Sequence, residues 1–212
     1  MIDVTHEISS VDRRIGTRTL EAGEARTLVV SRVYDTPPED LWDACTNPER
    51  IPRWFLPVTG DLRLGGRFQL EGNAGGEITE CEPPRRLAVT WEFHGAISLV
   101  TVDLSAAGGA TTELRLRHAV ADDEHWATYG PGAVGVGWEL GLLGLLLHLR
   151  TGASADEGRE FVTSPEGREF MRRSAAGWGA AHAAAGVQAA VAEEAAARTT
   201  AAYAPDPQPE PS

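Results

Sequence analysis

The sequence predicts an α+β fold: an antiparallel sheet covered by helices, with a further helical extension on the C-terminal side. Three observations carry this. From Asp61 to His118 the apolar residues alternate with period two between Gly-rich turns at Gly65-Gly66, Gly72-Asn73-Ala74-Gly75-Gly76 and Gly108-Gly109, the pattern of a hairpin meander. The apolar run Val134 to Leu149 reads as a buried helix covering that sheet. Ser164-Pro165-Glu166 then supplies a cap, a Pro at the first helical position and an acid in the first turn, opening an Ala-rich helical stretch to about Tyr203.

Residues 1–25 are polar and weakly patterned, a leader that adds a strand or a short helix. Residues 26–35 alternate as a strand, with Leu28, Val30 and Tyr34 on one face and Val29 and Val33 on the other, which implies coverage on both sides. Asp35-Thr36-Pro37-Pro38 starts a helix, with Thr36 as N-cap and Pro37 in the first turn. Its buried stripe is Leu41, Trp42 and Cys45. Asn47-Pro48 restarts the chain as a second short helix capped by Asn47 and confined by Pro52 and Pro57. In the meander, Leu87, Val89, Trp91 and Phe93 share one face, with Ala88, Thr90, Glu92 and His94 opposite. Leu114, Leu116 and His118 share a face across a later turn. Residues 121–132 read as a loop, 134–149 as the long helix and 150–163 as a polar, Gly/Ala-rich hinge. In the extension, Phe170, Ser174, Trp178, Ala181 and Ala185 trace one face, Gly186 interrupts, and the Pro-rich end from 204 to 212 reads as a disordered tail. Small residues Gly177 and Gly179 flank Trp178, which marks close packing against its own core, a second copy or a partner; covering the sheet or a cavity mouth is the preferred reading.

The chain has 212 residues and a net charge of -12. That charge argues against nucleic acid and anionic membrane surfaces, both of which need clustered positive charge. All 19 basic residues are Arg, which removes Schiff-base chemistry, a Lys general base and a P-loop Lys. Cys45 and Cys81 form neither a metal motif nor a disulfide framework, and Cys45 is expected buried and inert. The N-terminus lacks the basic start and apolar stretch of a signal peptide, so a reducing cytoplasm is expected. Val134 to Leu149, interrupted by Glu139 and several Gly, falls short of the roughly 20 residues a membrane span needs. No HExxH, CxxC, EF-hand or Gly-x-Ser-x-Gly pattern occurs, so no metal or cofactor is expected and a hydrolytic triad has no support. Asp122, Asp123, Glu124 and His125 read as a solvated charge run, because consecutive side chains converge poorly on one ion.

The segments Val33 to Ala44, Asn47 to Phe55, Asp61 to Phe68 and Glu82 to Phe93 give, in order, a strand, a Pro-started helix, a short helix ending in Trp-Phe, and hairpins. This order resembles the START-like (Bet v 1-like, SRPBCC) superfamily, and within it the bacterial relatives of the Hsp90 ATPase activator C-terminal domain. The resemblance implies a helix-grip domain over residues 26–150, its antiparallel sheet wrapped around a long C-terminal helix, with residues 151–203 as a helical extension. It also implies an apolar cavity between sheet and long helix.

The expected cavity lining is Trp54, Phe68, Trp91 and Phe93, then Leu114, Leu116 and His118 on the later strand, and Trp138 and Leu142 on the long helix. The resemblance places Trp54-Phe55 near the mouth and Trp138 facing the sheet. His118 is the best polar candidate, as a group that orients a ligand or as a core histidine bonded to its neighbours. Arg67 could reach the mouth from its hairpin. The leading expectation is non-catalytic binding of a small hydrophobic or aromatic molecule. The alternative is a protein-interaction or co-chaperone-like module, which the Hsp90-activator resemblance implies. The eukaryotic activator carries a further N-terminal domain with no counterpart before residue 26, which weighs against chaperone activation. A cyclase or hydrolase acting on polyketide or aromatic substrates ranks third, because the diagnostic pocket residues of related cyclases are missing. A homodimer or protein partner would engage through the extension.

Overall fold

Nine residues of alternating character after a short polar helix are enough to extend the sheet by one strand, and the leader does so. The computed structural model describes residues 2–20 and 23–205. Helix α1 (Val4–Ser9) leads into β1 (Asp12–Leu20), which pairs with β2 (Gly23–Tyr34). Two short helices follow, α2 (Pro38–Thr46) and α3 (Ile51–Trp54), then strands β3 (Val58–Gly60), β4 (Arg67–Leu70), β5 (Gly75–Glu82), β6 (Arg86–Phe93), β7 (Ala96–Gly108) and β8 (Thr111–Ala121). The described strands form one antiparallel sheet of eight, in the order β1-β2-β8-β7-β6-β5-β4-β3. Five helices complete the described residues: α4 (Glu124–Tyr129), α5 (Gly132–Thr151), α6 (Ala155–Thr163), α7 (Pro165–Ala184) and α8 (Ala189–Tyr203). The helix-grip expectation is borne out, with α5 lying across the sheet.

Register brings the apolar faces together. Val100 and Val102 of β7 stand opposite His118 and Leu116 of β8, and Leu28 and Val30 of β2 stand opposite the same two on the other side. Trp91 and Val89 of β6 stand opposite Ser98 and Val100 of β7. Alternation thus puts Leu28, Val30, Trp91, Val89, Val100, Leu114, Leu116 and His118 on the face toward α5. Val33 on the other face is exposed, so the two-sided coverage expected for this strand is not realised at that end.

Helix α5 is apolar on most of its circumference because it is packed on two opposite sides. It has 20 residues and is long and apolar enough to cross a membrane by length and composition; here the sheet lies on one side and α7 on the other. The stretch Gly132–Thr151 is longer than expected from the sequence at both ends. The extension packs straight onto α5. Trp178 is fully buried, and a Cβ at Gly135 would fall 2.2 Å from its indole ring. Glycine at 135 is what lets α7 approach this closely. The inward stripe of α7 runs Phe170, Met171, Ser174, Ala175, Trp178 and His182; Ala185 is exposed.

Four local expectations are corrected. The α2 N-cap is Pro37, one residue past Thr36, because Thr36 Oγ1 instead donates to Asp40 Oδ2 at 2.7 Å. Asn47 ends α2, and the next helix is capped by Arg50. Part of the loop over 121–132 is α4, capped by Asp123 and anchored by buried Trp126. Most of the hinge over 150–163 is α6, opened by a Ser154–Glu157 capping box. The chain remains packed through Ala204, and the tail expected from 204 lies outside the described residues from 206 onward.

Candidate ligand-binding site

Between α5 and the sheet lies an apolar cavity of about 180 Å³, compact beside the roughly 300–1,000 Å³ of drug-sized pockets. Strands β6, β7 and β8 supply its floor through Leu87, Val89, Val100, Val102, Leu114 and Leu116. Helix α5 supplies the roof through Trp138, Leu142 and Leu145. The α2–α3 corner and β4 close the sides with Cys45, Trp54, Phe55 and Phe68. Burial pushes the Cys45 thiol up to about 12, so it stays protonated and a poor nucleophile at neutral pH.

Aromatic rings form one connected wall. Trp54 and Phe55 stack at 5.4 Å, Phe55 and Trp138 at 6.4 Å, and Trp138 meets Trp91 at 5.0 Å. Phe68 lies 6.2 Å from Trp91. The Trp54 indole N–H donates to the Ala44 carbonyl at 2.9 Å, which fixes that ring across the α2–α3 corner.

His118 stands behind this wall, only 4% exposed. The Trp138 indole N–H donates to His118 Nδ1 at 3.0 Å. An indole nitrogen only donates, so Nδ1 accepts and the ring proton sits on Nε2. Nε2 therefore donates to Ser98 Oγ at 2.8 Å, and Ser98 Oγ donates to the Trp91 carbonyl at 3.1 Å. Burial lowers the His118 pKa to about 4, keeping the ring neutral.

On the far side of the wall an outer groove of about 500 Å³ runs between the β6–β7 turn and α4. Phe55, Trp91 and Trp138 line both the cavity and this groove, whereas His118 and Ser98 line the groove alone.

Of the residues expected in the lining, Trp54, Phe68, Trp91, Leu114, Leu116, Trp138 and Leu142 come together around the cavity. Two do not. Phe93 is 41% exposed and belongs to the groove, because β6 ends at this residue and carries it past the edge of α5. His118 follows Leu116 on the same face of β8 but lines the groove, where Trp138 is bonded to it. Arg67 faces away and pairs with Glu92 at 2.6 Å. The acidic run is divided among separate tasks: Asp122 pairs with Arg26 and Asp123 caps α4. Among the described residues no three His, Cys, Asp or Glu side chains are grouped to hold a metal ion. Sequence reading missed Val100, Val102 and Ser98. The alternation Ser98, Val100, Val102, Leu104 was the available signal for the face, but only the β7–β8 register puts Ser98 on His118.

Comparison with known proteins agrees with this architecture. Residues 35–145 match the family model described as Activator of Hsp90 ATPase homolog 1-like protein. The crystal structure of CalU16 from Micromonospora echinospora is 40% identical, with a TM-score of 0.69, covering 81% of this chain and 98% of that one. Protein MLL2253 from Mesorhizobium loti is 28% identical, with a TM-score of 0.53, covering 59% of this chain and 98% of that one. The human Activator of 90 kDa heat shock protein ATPase homolog 1 is 26% identical over 90 residues. The match covers 40% of this chain and 27% of that curated relative's length. With just over half the chain inside the family model and a relative at 40% identity matched nearly end to end, the chain belongs to the Activator of Hsp90 ATPase homolog 1-like protein family.

Proposed function

We propose that the protein binds a small apolar or aromatic molecule in the cavity between α5 and the sheet, without transforming it. The observation that carries this reading is the cavity itself, lined mainly by aliphatic and aromatic side chains. Burying an apolar ligand against such walls gives about 25 cal/mol for each Å² removed from water. The groups able to do chemistry nearby are occupied or silenced: His118 has both nitrogens bonded and Cys45 stays protonated.

Native mass spectrometry of the freshly purified protein, followed by denaturing analysis of anything released, tests it first. An extra mass that survives gentle ionisation and is apolar when released is the expected result. A thermal-shift panel of one- to three-ring aromatics extends the test. A ligand at a hundredfold excess over Kd adds about 2.7 kcal/mol, which at about 2–4 °C per kcal/mol raises Tm by roughly 5–10 °C. Leu142→Phe, which fills the cavity from α5, abolishes the shift while leaving the apo melt cooperative. No shift from any member of the panel, together with a clean apo mass, removes the reading.

A protein-interaction role is the second reading, favoured by the similarity to the human activator. It predicts that the purified chain stimulates ATP turnover by an Hsp90; no stimulation at saturating protein removes it.

A further inference from the structure

Cavity and groove are separated by three rings, and those rings differ in how they are held. Trp91 sits on β6, a strand paired on both sides. Phe55 follows the four-residue helix α3 and faces Gly141, where even an added Cβ would remain 3.6 Å from the ring. Trp138 is half-buried and flanked on α5 by Gly137 and Gly141. Phe55 and Trp138 are therefore the parts of the wall with room to move. The groove beyond them is open to solvent and edged by apolar side chains: Phe93 is 41% exposed and Ile97 68% exposed.

Moving Trp138 has a chemical consequence. Its indole N–H is the donor that satisfies His118 Nδ1. The ring of His118 is buried and its proton is committed to Ser98, so Nδ1 cannot turn into a donor without breaking the second bond. A buried acceptor left unmet costs more than an average hydrogen bond gains. A hydrocarbon that pushes past Trp138 leaves that acceptor empty. A molecule carrying a hydroxyl can fill it.

Resting on the cavity reading above, the geometry points to one site with two chambers: the ligand enters from the outer groove through the Phe55–Trp138 side of the wall, places an apolar ring system in the inner cavity, and puts a hydroxyl on His118 Nδ1 in the place of the Trp138 indole N–H. The ligand class is thus an aryl alcohol or phenol and not a plain hydrocarbon. Ser98 and the Trp91 carbonyl are positioning groups: they hold the His118 proton on Nε2 and leave Nδ1 to accept. Burial keeps the imidazole neutral, which preserves that acceptor across the neutral range. The selectivity follows from a general asymmetry, in which a site built to bond a hydroxyl strongly rejects the analogue that lacks it.

Equilibrium dialysis of the full chain against 2-naphthol and naphthalene, with wild type and Trp138→Phe, tests this. Wild type is expected to bind 2-naphthol about tenfold more tightly than naphthalene. Trp138→Phe keeps the ring and removes the N–H, so nothing is lost on opening. It should bind both probes about tenfold more tightly than wild type while keeping the preference for 2-naphthol. His118→Phe should erase that preference. Equal affinity of wild type for the two probes overturns the hydroxyl assignment and leaves the cavity reading intact. A preference that Trp138→Phe does not sharpen into tighter binding overturns the exchange at Nδ1. Absence of binding by either probe to both proteins overturns the two-chamber site together with the cavity reading.

Discussion

A neutral imidazole donates once and accepts once, and His118 does both inside a closed chain of hydrogen bonds. Its folded pKa, lowered by burial to about 4, lies below its ordinary value of 6.5. Between those two values the unfolded chain takes up a proton that the folded chain refuses. Stability therefore falls as pH drops from about 6.5 to 4, and this contribution is complete above 6.5. The size is on the order of 3 kcal/mol. Urea unfolding of wild type and His118→Phe across that range is expected to show a shallower pH dependence in the variant. Parallel curves would mean that the folded ring takes the proton freely. The sequence made part of this legible: the spacing of Leu114, Leu116 and His118 put all three on one face, and the structure keeps them there. It could not show that Trp138 would bond His118 and that His118 would line the groove, because that depends on how α5 is rotated above the sheet. The same rotation and the end of β6 leave Phe93 outside.

Helix ends and glycine contacts decide the elements. Ser164 Oγ accepts the Gly167 N–H at 3.0 Å at the start of α7, the cap that Ser164-Pro165-Glu166 announced. Ser164→Ala is expected to cost about 1 kcal/mol, read as a lower urea midpoint with unchanged slope. Gly135 poses an opposite test. By intrinsic propensity alone, Gly→Ala in a helix interior gains about 1 kcal/mol. Here the new methyl would lie 2.2 Å from the Trp178 indole, and overpacking of that kind costs about 1–3 kcal/mol. Gly135→Ala is expected to lower Tm; a rise would mean that α7 does not press on α5 at this point. Long elements were readable because periodicity accumulates over many residues. The short helices α4 and α6 were not, since each is two turns or so of polar sequence. Their caps were nonetheless written in the chain: Ser154 and Glu157 stand three apart, and each satisfies the backbone of the other.

At the scale of the molecule, the leader and the extension hold each other against the same helix. Arg13 of β1 grips Glu139 of α5 with two bonds of 2.7 Å, and both side chains are withdrawn from solvent. The Arg13 guanidinium also lies against Gly177 of α7, and Arg173 of α7 reaches Thr5 of α1 at 2.8 Å. A second buried pair joins Glu7 of α1 to Arg32 of β2. Sequence reading divided residues 1–25, 26–150 and 151–203 into leader, domain and extension, since each differs in composition. The Arg13–Glu139 and Arg173–Thr5 contacts lie more than a hundred residues apart along the chain, where no local pattern can register them. The cooperative consequence can be measured. Arg13→Met leaves the Glu139 carboxylate buried without a partner, a change that costs about 3–5 kcal/mol. Arg13→Met with Glu139→Leu removes both charges and should recover most of that loss, because apolar replacement of a buried pair is often neutral. If leader, sheet and extension form one unit, the single variant lowers the urea midpoint as a whole and fluorescence and circular dichroism trace the same curve. An early separate transition in the single variant, absent from the double, would instead show that the extension detaches while the sheet stays folded. The cavity would then keep its floor of β-strands and lose the support that α7 gives to its roof.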